Sequence, residues 1–268
     1  APYFTPYPQQ IELARGIPVE LPTYEEEDWQ INPERLESLI TERTKAIIIN
    51  SPANPTGSCL KPETLNKLAG IAEKYDLIVI SDEIYTAYSY EASFIPFSSI
   101  EGMAERTITI NSFSKDFTMT GWRVGNIIAP KEIVSVVQQI NENVVFTAPS
   151  ISQRAAIYAL RNRTIVQPPL IEEYRKRVFY AAERINNVHN MSVIYPPKGS
   201  FYLFINIKGT GMSSVEVCDL LLREAHVLAL PGNAFGNCGE GYIRIACTVP
   251  VEKLMEAFDR IEKIGVFL

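Results

Sequence analysis

Histidine is nearly missing from this chain: only His189 and His226 occur in 268 residues. Two imidazoles cannot build a metal centre by themselves. Cysteine is sparse too, and Cys59, Cys218, Cys238 and Cys247 lack the paired spacing of a zinc site. They read as reduced thiols, which places the expected location in the cytoplasm. No apolar run approaches the length of a membrane span, so no membrane partner is expected. Positive charge is in deficit, with 25 Lys and Arg against 31 Asp and Glu and a net charge of -6. That balance argues against nucleic acid or an anionic surface as partner. No strand-Gly-x-Gly-x-x-Gly-helix unit is present, so a dinucleotide fingerprint is excluded. Gly232, Gly236, Gly239 and Gly241 instead read as residues that loosen a loop between two strands. Internal repeats and low-complexity segments are absent.

What is present is a hydrophobic content of 46% and a charged content of 21%, as in a globular enzyme. The length suffices for two domains with a large core. The opening residues, Ala1-Pro-Tyr-Phe-Thr-Pro6, read as the middle of a domain, and the expectation is a piece of a longer protein.

Pro6 to Arg15 predicts a short helix ended by Gly16, and Ile17 to Leu21 a strand. Glu25 to Asp28 reads as a solvated acidic turn. Pro33 opens a helix with Leu36, Leu39 and Ile40 on one side. The continuous apolar runs Ala46–Ile49, Leu77–Ile80 and Thr107–Ile110 predict buried strands, and Leu65, Leu68, Ala69 and Ala72 form a helical stripe between the first two. Strand, helix and strand in alternation predict a parallel sheet with crossover helices. Val124 to Ala129 predicts a further strand, followed by helices after Pro130, at Ser150–Leu160 and from about Leu170 to Ile185. Pro168-Pro169 reads as a domain boundary. Beyond it, Phe201–Ile205, Val227–Leu230 and Tyr242–Ala246 predict strands, and Val215–Glu224 and Val251–Ile264 helices. The fold class is therefore α/β, a three-layer, mainly parallel sheet over residues 1–165 with a smaller α+β domain at 166–268.

Ligands of open α/β sheets bind beyond the carboxyl ends of the strands. Asn54, Asp82 and Lys115 each lie just after a predicted strand, at that end. The stretch Asn111-Ser-Phe-Ser-Lys-Asp-Phe-Thr-Met-Thr-Gly-Trp-Arg-Val-Gly125 holds most of the chemistry. An amine at the edge of a core has a lowered pKa and a lone pair available for attack on a carbonyl. Ser112, Ser114 and Arg123 supply hydroxyls and a guanidinium fork for a phosphate, with Gly121 and Gly125 allowing a tight turn beside it. An aldehyde that carries a phosphate is pyridoxal phosphate. Taken alone, this stretch reads equally well as a strand-loop-helix connection with surface charges. Ser112-Phe-Ser-Lys115 also fits the Ser-x-x-Lys of penicillin-recognising hydrolases. The companion motifs are not matched, since the chain has Ser81-Asp-Glu83 and Lys198-Gly-Ser200 in their stead.

Asn54-Pro-Thr-Gly57, Asp82-x-x-Tyr85, Ser112-x-Ser-Lys115 with Arg123 and Gly125, and Tyr242-Ile-Arg244 follow one another in this order. Together they resemble the fold-type-I aminotransferases of class I/II, the aspartate aminotransferase family, across essentially the whole chain. The resemblance implies pyridoxal 5'-phosphate as cofactor, with amino acid and 2-oxo acid substrates and a homodimer. Lys115 would form the internal aldimine and carry the proton at the substrate Cα. Asp82 would keep the pyridine nitrogen protonated. Asn54 and Tyr85 would hydrogen-bond the ring's 3'-oxygen, with Asn54 turned toward the ring by a cis bond to Pro55. Ser112, Ser114 and Arg123 would hold the phosphate, Phe4 would stack on the ring, and Arg244 would clamp the substrate α-carboxylate. The implied donors are aspartate, aromatic or similar amino acids. Members of the family carry roughly another hundred residues before the position of Ala1, including a loop that helps bind the phosphate, in keeping with two-domain sizes. A carbon–sulfur β-lyase or decarboxylase on the same cofactor remains open, as does a non-catalytic aminotransferase-like regulatory domain. In the singular readings, Asp82 is a helix cap, Tyr85 a core residue, Asn54-Pro-Thr-Gly a turn and Arg244 an exposed ion-pairing residue.

Overall fold

The structure is a computed structural model describing residues 1–268. In chain order it contains α1 (Tyr7–Leu13), α2 (Pro33–Leu39), β1 (Ala46–Asn50), α3 (Pro62–Lys74), β2 (Ile78–Asp82), β3 (Thr107–Ser112), α4 (Phe113–Asp116) and β4 (Gly125–Ile128). There follow α5 (Lys131–Val144), α6 (Ser150–Arg161), α7 (Arg163–Ile185), β5 (Tyr202–Asn206), α8 (Ser214–Leu220), β6 (Leu230–Pro231), β7 (Tyr242–Ala246) and α9 (Val251–Ile261). The chain forms two compact units: Pro33–Pro52 with Leu60–Glu172, and Ala1–Asn32 with Ala53–Cys59 and Glu173–Leu268. The first 32 residues thus group with the C-terminal part.

The first of these units is built on a sheet in the order β1-β2-β3-β4. β1, β2 and β3 run parallel, with Asn50 beside Asp82 and Asp82 beside Ile110. β4 runs antiparallel to β3, with Gly125 opposite Ser112. The sheet is therefore mainly parallel, as the alternation of apolar runs and amphipathic stripes requires. Leu65, Leu68, Ala69 and Ala72 of α3 are all buried, which accounts for the helix: one apolar face is removed from water. Under the end of β3 lies a core of Phe113, Met119, Val124, Ala156 and Ala159.

The other unit carries an antiparallel sheet in the order β5-β7-β6. Phe204 of β5 stacks on Tyr242 of β7 with ring centroids 5.0 Å apart, and Trp29 and Phe235 complete this core. Ser213 caps α8 through a reciprocal pair with Glu216, so both ends of a capping box are satisfied.

Several expectations need correction. Ile17–Leu21 is no strand: Pro18 and Pro22 lack the N–H a ladder needs, and Ile17 and Val19 stay exposed. Pro168 and Pro169 lie inside α7 rather than before it. The Asn162 carbonyl accepts from Ile165 and Val166, so the helix starts upstream, and buried Val178, Ala181, Ala182 and Ile185 anchor its later turns. The predicted strand Val227–Leu230 shrinks to Leu230–Pro231. α8 runs on into a π-turn, Leu221–Ala225, and the Val227 N–H is committed to the Leu221 carbonyl. The acidic turn is partly built in, because Glu25 Oε2 accepts from Asn206 Nδ2 at 2.6 Å and from the Tyr242 hydroxyl at 3.1 Å. Burial, followed by the neighbouring Glu25 charge, pushes the Tyr242 phenol upward.

Candidate active site

In the sheet unit, the carboxyl ends of β1, β2 and β3 lie side by side. Asn50 closes β1, and its Nδ2 donates to the Asp82 carbonyl at 2.9 Å. Asp82 closes β2 with its side chain 7% exposed, and Oδ1 accepts the Ile84 N–H at 3.4 Å. A buried carboxylate at a strand end is costly unless a donor or cation meets it. Tyr85, three residues on, is 2% exposed. Glu83 faces away from this end into a separate hydrogen-bonded niche with Ser81 Oγ at 2.9 Å and the Phe97 N–H at 3.2 Å. Burial pushes the Glu83 carboxyl up, and those two donors oppose the shift.

β3 ends at Ser112, which caps α4: its Oγ accepts the Ser114 N–H at 3.1 Å. Lys115 follows on this one-turn helix, half-buried. Gly125 lies opposite Ser112, and a Cβ there would stand 2.7 Å from the Asn111 carbonyl oxygen. Glycine is thus required by the close approach of β4. Arg123, two residues earlier, adopts φ 50, and its Nη1 donates to the Thr120 carbonyl at 2.9 Å. Gly121 faces open space, so the tight turn attributed to it rests on Gly125 instead.

The other unit holds Phe4, Asn54 and Arg244. The Asn54-Pro55 bond is cis, as the resemblance implies. Asn54 is 3% exposed. Arg244 projects from β7, and its Nη1 donates to Asn54 Oδ1 at 2.9 Å. Its guanidinium also lies 4.4 Å from the Tyr202 ring centroid and 4.9 Å from that of Phe235. This is a half-buried cation that lies over two aromatic rings with one Nη fixed by Asn54, not an exposed side chain. Phe4 packs edge-on against Tyr7 at 5.6 Å.

The structure thus brings Asp82, Tyr85, Ser112, Ser114, Lys115 and Arg123 into the sheet unit, and joins Asn54 to Arg244 in the other. Sequence reasoning missed Asn50, Tyr202, Phe235 and the turn at Thr86–Tyr88. Asn50 had a signal, since it ends an apolar run one residue before a proline-rich loop. Tyr202 had none, because its place beside Arg244 follows from the pairing of β5 with β7.

The donor set suits an aldehyde-bearing, phosphorylated pyridine: a buried carboxylate, an amine one strand away, hydroxyls and a guanidinium. A family model for aminotransferase class I and II matches residues 1–261. The aspartate aminotransferase of Pyrococcus abyssi is 44% identical over 266 residues, covering 98% of this chain and 68% of that protein. Aromatic-amino-acid aminotransferase 2 of Thermococcus litoralis is 41% identical, with 98% and 68% covered. The crystal structure of an aromatic aminotransferase from Pyrococcus horikoshii superposes with a TM-score of 0.94 at 41% identity, covering 98% of this chain and 71% of that one. The fold and the strand-end residues define an α/β enzyme of the aspartate aminotransferase type. The chain belongs to the class I and II aminotransferases and is a transaminase.

Proposed function

We propose that the protein transfers an amino group from an L-amino acid to a 2-oxo acid with pyridoxal 5'-phosphate held at Lys115. The donor class is aspartate, aromatic or similar, as the relatives' names suggest. The observation that carries this reading is the emergence of Asp82 and the Ser112–Lys115 turn at the carboxyl ends of adjacent parallel strands. When bound, the cofactor supplies an aldehyde and a protonated ring that draws electrons from the substrate Cα.

The chain's own residues do the rest. Asp82 keeps the ring nitrogen's proton by placing a buried negative charge beside it. Asn54 and Tyr85 orient the ring through its oxygen, and Phe4 packs on its face. Ser112, Ser114 and Arg123 hold the phosphate, the guanidinium by a two-bond fork. Arg244 orients the substrate by its α-carboxylate, with the Tyr202 and Phe235 rings packed against its guanidinium. Lys115 Nζ would take the proton from the substrate Cα and give it back at the carbon that the cofactor's aldehyde supplies, on the far side of the transferred nitrogen. Residues 1–165 are read as cofactor-binding domain and 166–268 as small domain, in a cytoplasmic homodimer. No helix is long and apolar enough to cross a membrane.

The test is borohydride fixation of pyridoxal phosphate followed by peptide mass analysis in the enzyme and its Lys115→Ala variant. The expected result is label on Lys115, none in the variant, and loss of turnover with it. Label on another lysine, or turnover by the variant, would falsify the assignment. A 2-oxo acid requirement separates transamination from lyase chemistry on the same cofactor.

A further inference from the structure

Asp116 directly follows Lys115 and closes α4. Its side chain is 8% exposed. Oδ2 accepts the Thr86 hydroxyl at 2.8 Å and the Ala87 N–H at 3.4 Å, while Oδ1 is buried without a hydrogen-bond partner. One residue back, the Lys115 carbonyl accepts the Tyr88 hydroxyl at 2.9 Å. Thr86, Ala87 and Tyr88 form a single 3-10 turn that begins right after Tyr85. One turn therefore grips both residues of the lysine segment.

The grip has a physical purpose. A four-residue helix has almost no hydrogen bonds of its own to hold its shape. Lysine places its amine at the end of a flexible four-carbon stem, so the amine's position is only as well defined as its backbone. A misplacement of about 1 Å at a reacting group can cost roughly a hundredfold in rate.

We propose that Asp116 is a positioning residue for Lys115, fixing the lysine's backbone to the turn that follows Tyr85 through Thr86 and Ala87. The proposal rests on the reading of Lys115 as the cofactor lysine. Burial pushes the Asp116 carboxyl up to about 6, opposed by the Thr86 and Ala87 donors. Below about that pH the neutral acid would carry its O–H at Oδ1, which has no hydrogen-bond partner, and leave Oδ2 to accept both donors. An asparagine amide reproduces that layout, with its NH2 at the Oδ1 position.

The experiment compares Asp116→Asn, Asp116→Ala, Thr86→Val and Tyr88→Phe in the whole enzyme. Three quantities are read: borohydride-fixed pyridoxal phosphate on the Lys115 peptide, kcat against KM, and the pH titration of the bound cofactor's absorbance. Asp116→Ala should lower kcat by about tenfold or more with KM little changed, and should displace the absorbance titration. Asp116→Asn should restore most of kcat. Thr86→Val and Tyr88→Phe should each lower kcat in the same sense by less. These two carry the test if the alanine variant does not fold. Unaltered kcat and titration in the alanine and valine variants overturns the proposal, as does an asparagine variant impaired as badly as alanine. If the unsubstituted enzyme fixes no cofactor at Lys115, the functional reading itself fails. If it does and the variants are indifferent, only the positioning role fails.

Discussion

At the scale of single residues, chemistry here depends on geometry that a charge count does not capture. Arg244 shows this most directly. Its fork is fixed at one Nη by Asn54 and lies over the Tyr202 and Phe235 rings. Lysine keeps the charge but can neither stack on those rings nor make two parallel bonds. Arg244→Lys should therefore lower kcat/KM by at least about tenfold for acidic and aromatic donors alike, since a charge-assisted bond is worth roughly 1.5–3 kcal/mol. Steady-state kinetics with both donor classes checks this, and a defect confined to one class would sink the α-carboxylate assignment. Asp116 makes a second case. Burial raises its pKa to about 6, above the ordinary aspartate value of 3.8. The native state thus keeps a proton that the unfolded state releases. The resulting stability is fully present below about pH 4 and is lost as pH rises through about 6. Asp116→Asn should abolish this loss, so the variant should be more stable than its parent at pH 8 by up to about 2–3 kcal/mol, with no gain at pH 4. Urea unfolding of both proteins at the two pH values measures the difference.

At the scale of elements, close backbone contacts decide what glycine does. The sequence reads Gly232 and Gly239 as loosening a loop, and the structure shows a close contact there instead. A Cβ on Gly232 would lie 2.0 Å from the Gly239 carbonyl oxygen, and one on Gly239 would lie 2.1 Å from that of Gly232. Two backbone segments touch there, next to the short strand that ends at Pro231. Gly232→Ala should destabilise the protein by about 1–3 kcal/mol or more, because neither segment has a flexible side chain to yield. A melting temperature equal to the parent's would show that the contact relaxes freely. For α3, the packing stripe was legible because its spacing is set by helical geometry alone. Leu68 is 2% exposed. Leu68→Ala should cost about 2–5 kcal/mol by leaving a cavity, read by chemical denaturation. The loss of the predicted strand at Val227 was not legible, because a π-turn earlier in the chain takes the N–H that the strand would need.

On the scale of the whole molecule, the charge of -6 sets what the surface attracts. The protein should pass through a heparin column at moderate salt, and retention would reveal a basic face that the net charge conceals. The sequence by itself determined the mainly parallel sheet, because buried parallel strands must be apolar on both faces and their crossover helices on one. It also determined that Asp82 and Lys115 come at strand ends, since each lies shortly after such a run. The Asn-Pro-Thr-Gly turn and the ordered motifs were equally local, readable as consecutive residues. Only the tertiary structure decided what depends on residues distant in the chain. Arg244 and Asn54 are 190 positions apart, and no local pattern announces their 2.9 Å bond. The Thr86–Tyr88 turn meets Asp116 across 30 positions, a contact set by the parallel pairing of β2 with β3. The grouping of the first 32 residues with the C-terminal part is of the same kind. Period and propensity act over a few residues, whereas these contacts follow from which strands lie side by side and which surfaces pack once they do.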